Sequence, residues 1–299
     1  PGKTVTNAQG RYLHNGRGYV MVDIPGTYSL LAHSAEEEVA RDFICFGNPD
    51  AVVVVCDATC LERNLNLVLQ AMEITPRVLV CVNLMDEAAK KHIAVDLAEL
   101  ESRLRVPVVG LSARSGKGLN RVMERLEEVL KIQQLPTPPV TYGAAIEEAV
   151  QILTPMATRL KTGVDTRWLC LRMLENPEQA KALLRHCKAG EKEDSALLAA
   201  AQNLREEKGL TCDEVQDILA AHTVMTAEYI AGFVVRSTSD SNRFDRQLDR
   251  VLTNKFTGIP IMILLLCGVL WLTITGANYP SQLLATGLFW VQDRLTDLF

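Results

Sequence analysis

The sequence predicts a doubly wound α/β domain, followed by a small all-helical module and then by the start of a membrane-spanning segment. Three observations carry the prediction. Residues 51–56, 77–82 and 106–111 are short apolar runs separated by helical patterns, as expected of parallel strands buried on both faces. A proline-rich break at 133–139 is followed, to about Val235, by a stretch in which apolar residues recur at helical spacing. Residues 259–275 contain no charge at all. A chain of 299 residues is long enough for two domains with proper cores.

Taken in order, Tyr12-Leu13, the turn pair Asn15-Gly16 and residues 19–22 read as a β-hairpin. Helical patterns over 35–46, 64–74, 95–104 and 119–132 alternate with the three buried strands, which places any ligand at the carboxyl ends of those strands. In the helical module Leu153/Met156/Leu160, Leu169/Met173/Leu174 and Val215/Ile218/Leu219 mark helix faces, and Thr211 with Glu214 fits a capping box. The apolar run would span about 26–30 Å as a helix, the thickness of a bilayer core. Arg243, Arg246, Arg250 and Lys255 precede it, and neither Lys nor Arg follows until Arg294, so the positive-inside rule puts the preceding residues in the cytoplasm. A second apolar stretch, 283–291, is too short to span and fits an interfacial segment or part of a helix. The expected organisation is residues 1–133, 140–236 and 237–299, with a transmembrane helix at about 259–278.

Composition excludes some classes of function. A net charge of −5 and 5% aromatic residues argue against a nucleic-acid partner, which needs a basic surface and stacking platforms. The 8 cysteines form no CxxC pair and the 5 histidines no HxxxH or HExxH pair, so buried thiols in a reducing compartment are expected, not a metal cluster. Residues 1–10 have no signal-peptide core, and the chain is expected to begin at a cut within a longer protein.

The chemistry-bearing motifs fall at strand ends. Asp23-Ile24-Pro25-Gly26 closes a β-branched strand. Its carboxylate can hold Mg²⁺ through a water, and Gly26 lets a backbone N–H approach a γ-phosphate, although DxPG alone also fits a plain turn. Asn83-Leu84-Met85-Asp86 follows the second buried strand, where Asp86 can accept hydrogen bonds from guanine N1 and N2 together, which adenine cannot offer. Ser112-Ala113-Arg114 ends the third strand, with small residues that let backbone N–H groups reach the guanine O6. Order and placement together resemble the G3, G4 and G5 elements of a TRAFAC-type GTPase. The phosphate loop GxxxxGK[ST] is missing: Lys3-Thr4 is followed by a hairpin and not by the long helix such a loop opens. Thr4 reads instead as the switch I threonine, a ligand of Mg²⁺ together with Asp23. Thr27-Tyr28-Ser29 follow Gly26 where Ras-like proteins place a water-positioning glutamine, so intrinsic hydrolysis is expected to be slow and no catalytic residue is assigned.

These residues resemble one family closely, bacterial ferrous iron transport protein B. Residues 1–5, 23–30 (DIPGTYSL) and 36–42 match its switch regions, Asn83-Leu84-Met85-Asp86 its G4 form, and 107–114 its G5. The resemblance covers the whole chain and implies a P-loop-type (TRAFAC) GTPase domain lacking its first strand and P-loop, an all-helical domain that slows GDP release, and the first transmembrane helix. It further implies GTP/GDP, Mg²⁺ and K⁺ as ligands, Fe²⁺ as transported substrate, the bacterial inner membrane as location, small accessory proteins of the ferrous iron system as partners, and a homo-oligomer. Lys3 in place of a hydrophobic residue, and Thr6-Asn7 in place of an acidic-basic pair, depart from the family pattern. The expected function is GTP-dependent Fe²⁺ uptake. The alternative is a membrane-anchored regulatory GTPase with no transport role, and without its phosphate loop the chain as written is expected to be inactive as a GTPase.

Overall fold

The computed structural model describes residues 8–27, 29–31, 34–133, 140–186, 191–237, 252 and 258–296. The chain divides into two compact units, Pro1–Thr238 and Ser239–Phe299.

The first unit opens with an antiparallel hairpin of β1 (Ala8–His14) and β2 (Arg17–Asp23), with Tyr12 opposite Tyr19. Its turn pair Asn15-Gly16 has φ of 48° and 76°, the doubly positive geometry that asparagine and glycine supply in two-residue hairpins. The hairpin is hydrogen-bonded to no other sheet. Tyr19 packs against the core cluster that holds Leu79, Val109 and Leu126, whereas Leu13 and Val20 are exposed.

The main sheet is parallel, in the order β3 (Val52–Asp57), β4 (Val78–Asn83), β6 (Val108–Gly110). Central β4 is buried on both faces from Val78 to Val82, which explains its unbroken apolar run. One face is covered by α1 (Ala35–Phe46), α2 (Leu61–Ile74) and α4 (Leu97–Leu104); on the other, Met123, Leu126 and Val129 of α5 (Leu119–Val129) meet Leu79, Cys81, Val109 and Leu111. Val55, on the α5 side of β3, remains 59% exposed. Helix α3 (Met85–Lys90) follows β4 directly.

The helical portion comprises α6 (Ala144–Arg159), α7 (Thr166–Glu175), α8 (Pro177–His186), α9 (Glu191–Glu207) and α10 (Cys212–Val234). Residues 168–175 of α7 are all buried, and the helix is started by Asp165, whose carboxylate accepts from Trp168 N at 2.9 Å. Thr211 and Glu214 form the expected capping box. One apolar core runs through α2 and β4 into α6, α7 and α10, so the portions before and after the proline-rich break pack as a single body.

Two expectations change. The helix expected from Val95 begins at Leu97 with Asp96 as its cap, because Ile93–Val95 form a strand, β5. That strand pairs antiparallel with β7 (Val235–Ser237), with Val95 opposite Val235. The chain leaving α10 thus returns to the α/β portion, where β-branched residues on both segments suit a short ladder.

The second unit holds α11 (Gly258–Thr296). The apolar stretch 283–291 is part of this helix, which continues well past the expected end at 278. Among the described residues no helix is long and apolar enough to cross a membrane, and the continuous run of described side chains in α11 stops at Thr273.

Candidate functional site

The carboxyl ends of β4 and β6 are tied together by their own loops. Asn83 closes β4, and its Oδ1 accepts from Ala113 N at 3.0 Å. Leu84 then takes a left-handed conformation, φ 60°, an uncommon state for a leucine, and turns the chain straight into α3. Asp86 N donates to Ser112 Oγ at 3.2 Å, and Met85 N to Leu111 O at 3.3 Å. Ser112 is buried, while the Asp86 side chain stands exposed at the mouth of the loop. The Ser112 hydroxyl beside it, helped by the backbone N–H groups of Asp86 and Glu87, holds the Asp86 carboxyl below the usual carboxylate range. The result is an ionised, solvent-facing acceptor on a loop fixed at both ends.

The following turn is built on glycine. Ala113–Ser115 form one 3₁₀ turn that carries exposed Arg114, and Gly116 and Gly118 reverse the chain at φ 74° and 90°. A Cβ on Gly118 would lie 2.6 Å from Gly110 O and 3.1 Å from Leu111 Cα, so only glycine lets this loop fold back on β6.

The other expected half of the site lies on the hairpin. Asp23 ends β2 with an exposed side chain, Pro25 is half-buried and Gly26 exposed. Nothing stands within 4 Å of a Cβ built on Gly26, so packing does not demand glycine there. Thr4, the other expected Mg²⁺ ligand, falls outside the described residues, as do Lys3, Thr6 and Asn7. The structure therefore brings Asn83, Asp86, Ser112 and Ala113 together, and places Asp23 at the end of a separate hairpin, with Pro25 and Gly26 in the loop that follows it.

Sequence reasoning missed the residue that positions the segment after Gly26. Gln70 of α2 accepts from Leu30 N at 2.6 Å and from Ser29 Oγ at 3.2 Å, and buries Leu30 against the core. The available signal is a glutamine on the buried face of α2, set among apolar Val68, Leu69, Ala71 and Met72. Small size is only part of what fits Ser112 here, since its hydroxyl also serves the Asp86 loop.

Among the described residues the cysteines form no disulfide and no group of three or more His, Cys, Asp or Glu could hold a metal ion. Burial pushes Cys56 up to about 12 and Cys81 up to about 11, in line with unreactive buried thiols. Cys60 and Cys267 are exposed, contrary to the expectation of burial, because Cys60 sits at the start of α2 and Cys267 on the surface of α11.

A parallel sheet whose strands end in an NxxD loop hydrogen-bonded to a Ser-Ala loop, sharing its core with a bundle of helices, is the architecture of a G domain joined to a helical domain. The model of the family described as ferrous iron transport protein B matches residues 1–126, and that of the FeoB cytosolic helical domain matches 142–236. The chain belongs to the ferrous iron transport protein B family. It is 31% identical over 296 residues to the Fe(2+) transporter FeoB of Salmonella choleraesuis, covering 93% of this chain and 36% of that protein. With the Fe(2+) transporter FeoB of Escherichia coli strain K12 it is 28% identical over 290 residues, 93% of this chain and 35% of that one. The chain thus spans about a third of the length of these relatives. Among solved structures it resembles the cytosolic domain of the T. maritima FeoB iron transporter in its GMPPNP form, with a TM-score of 0.65 at 24% identity over 79% of this chain and 88% of that one. The mGMPPNP-bound NFeoB of S. thermophilus gives 0.63 at 23% identity, covering 80% and 88%. Both likenesses are of fold.

Proposed function

We propose that the chain is the nucleotide-responsive cytoplasmic part of a GTP-dependent ferrous iron transporter of the bacterial inner membrane, and that guanine nucleotide bound by its G domain regulates or drives Fe²⁺ uptake. The observation that carries this reading is the Asn83–Asp86 loop pinned to Ser112-Ala113 at the sheet's carboxyl end, with Asp86 ionised and facing solvent. In that frame the Asp86 carboxylate accepts from N1 and N2 of guanine, and the backbone N–H of Arg114 lines the approach to O6. Asp23 and Thr4 hold Mg²⁺, and Gly26 leaves room for the phosphate it faces, which accounts for a glycine that packing does not require. K⁺ at the phosphates, small accessory proteins and self-association belong to the same proposal. The Porphyromonas gingivalis relative, described as a fusion of Fe(2+) transport protein A with Fe(2+) transporter FeoB, supports an accessory partner.

Membrane insertion through α11 is part of the proposal. Its apolar side chains are exposed around the helix and not along one stripe, from Ile259 and Met262 to Leu264, Leu266, Leu270 and Trp271. A helix apolar on every side needs a nonpolar surrounding, and the charge-free sequence run continues beyond Thr273 to 275. The basic residues before it support a cytoplasmic location for the first unit.

The test is base preference, measured with fluorescent GDP, ADP and XDP analogues on the full chain. Residues 1–299 contain no GxxxxGK[ST] loop, so affinities will be weak and the ratio between bases is the readout. The parent should favour guanine over adenine, and Asp86→Asn should weaken the guanine analogue by about tenfold or more while strengthening the xanthine one. In cells carrying the encoding gene, the same substitution should lower Fe²⁺ accumulation. A variant that binds the guanine analogue as the parent does would remove Asp86 from base recognition.

A further inference from the structure

Helix α2 carries two polar residues on the face it turns to the core, Gln70 and Glu73, each 9% exposed. Around them Val68, Leu69, Ala71, Met72 and Ile74 are buried, the ordinary lining of a helix packed on a sheet. A polar group in such a face is costly unless it is partnered, and an apolar residue would serve packing better. Both are partnered, and by different parts of the molecule.

Gln70 grips the loop that follows Gly26. Its Oε1 accepts from Leu30 N at 2.6 Å and Ser29 Oγ at 3.2 Å. That loop is braced internally: Thr27 Oγ1 donates to Ser29 O at 2.6 Å, and Leu31 N donates to Ser29 Oγ at 3.1 Å. Glu73, one turn further along, accepts from the Tyr142 hydroxyl. Tyr142 is 3% exposed and belongs to the segment entering the helical domain. That segment is clamped from three helices. Tyr142 N donates to Glu147 Oε1 of α6 at 2.9 Å, Arg167 Nη2 of α7 donates to Val140 O at 2.9 Å, and His222 Nδ1 of α10 lies 2.8 Å from Thr141 O. Residues three apart share one helix face, so the two grips lie about 5–6 Å from each other on a helix too tightly packed to bend between them.

We propose that Gln70 and Glu73 make α2 a relay, coupling Thr27 and residues 29–31, behind Gly26, to the docking of the helical domain at Tyr142. A change in the position of that loop is passed through α2 to the Tyr142 hydroxyl, and release of the hydroxyl loosens the loop in return, since coupling between two sites is reciprocal. The relay stands on these contacts alone and goes beyond the nucleotide assignment, so its test uses no nucleotide.

Hydrogen–deuterium exchange on the full chain reads it directly, because the Leu30 amide is held by Gln70. Tyr142→Phe deletes one oxygen atom that does not touch the loop. It should speed exchange of the Leu30 amide by about fivefold, the worth of one hydrogen bond. Leu153→Val, a buried residue of α6 that takes part in neither grip's hydrogen bonds, controls for general loosening and should leave that amide at the parent rate. Acceleration confined to 140–175 in Tyr142→Phe, or equal acceleration at Leu30 in Leu153→Val, overturns the relay. Should Tyr142→Phe fail to fold, Gln70→Ala tests the reverse direction, since the hydrogen bonds of Gln70 go to Ser29 and Leu30. It should speed exchange of the Tyr142 amide, and an unchanged rate there overturns the proposal.

Discussion

Two exposed-looking glycines in the candidate site make opposite demands, and replacing each by alanine separates fold from function. Gly118 has φ 90°, and an added Cβ would meet Gly110 O at 2.6 Å and Leu111 Cα at 3.1 Å. Left-handed backbone costs a residue with a Cβ roughly 1–2 kcal/mol. Forcing backbone atoms of β6 apart adds about 1–2 kcal/mol more, by analogy with overpacked cores. Gly118→Ala should therefore lose about 2–4 kcal/mol. A protein portion of this size loses about 2–4 °C per kcal/mol, which puts the fall in Tm at about 4 °C or more. Gly26 has neither a positive φ nor any atom within 4 Å of a Cβ, so Gly26→Ala should leave Tm unchanged or raise it slightly through the unfolded chain. Its cost should appear in binding of a γ-phosphate-bearing guanine nucleotide, and not in binding of the diphosphate. Thermal unfolding by far-UV circular dichroism, paired with fluorescent-nucleotide titration, measures both. A Gly118→Ala protein as stable as the parent would refute the steric argument. A Gly26→Ala protein that melts early would show that packing holds that glycine after all.

Two further outcomes follow from the buried charges. Arg172 and Glu175 of α7 form an ion pair at 7% and 6% exposure, in a geometry that leaves Arg172 Nε and Glu175 Oε2 without hydrogen bonds. Arg172→Met should cost about 3–5 kcal/mol of unfolding free energy by stranding the carboxylate, and Arg172→Met with Glu175→Leu should recover most of it. Burial holds Glu73 above its ordinary 4.5, against the opposing effect of the Tyr142 hydroxyl. The folded state then binds more protons than the unfolded one above pH 4.5, so this contribution is fully present below 4.5 and is lost as pH rises through the folded value. Glu73→Gln should abolish that loss, and a parent whose stability relative to Glu73→Gln grows with rising pH would reverse the sign.

What could be read along the chain is what local chemistry decides. Helix α1 occupies the stretch its pattern marked, Ala35–Phe46, because Ser34 caps it and the acidic Glu36-Glu37-Glu38 suit its first turn. The capping box at Thr211 and the Asn15-Gly16 turn were visible for the same reason. The motifs at the ends of β4 and β6 are legible from their order and from their place directly after buried apolar strands. Features set by distant partners were not visible. Nothing near Val95 announces that Val235 will pair with it, nor does anything near Glu73 announce Tyr142, 69 residues away. The left-handed Leu84 is equally silent, since leucine has no preference for that conformation and the hydrogen bonds at Met85 and Asp86 impose it.

The proline-rich break at 133–139 divides the sequence more sharply than it divides the protein. Val140 and Tyr142, just past the break, are buried at 2% and 3% exposure in the core that also holds Leu65 and Val68 of α2 and Leu153 of α6. The last residues of the helical portion pair with β5, and Asp96 N donates to Val234 O at 2.8 Å, so the cap of α4 is completed by the end of α10. A helical module cut away at the break would lose the α2 face under α7 and α10 together with the acceptor for the Tyr142 hydroxyl. Exposing that much apolar surface costs far more than one lost hydrogen bond. The physical unit is therefore residues 1–238 as a whole, with α2 packed at its centre between the main sheet and the helices.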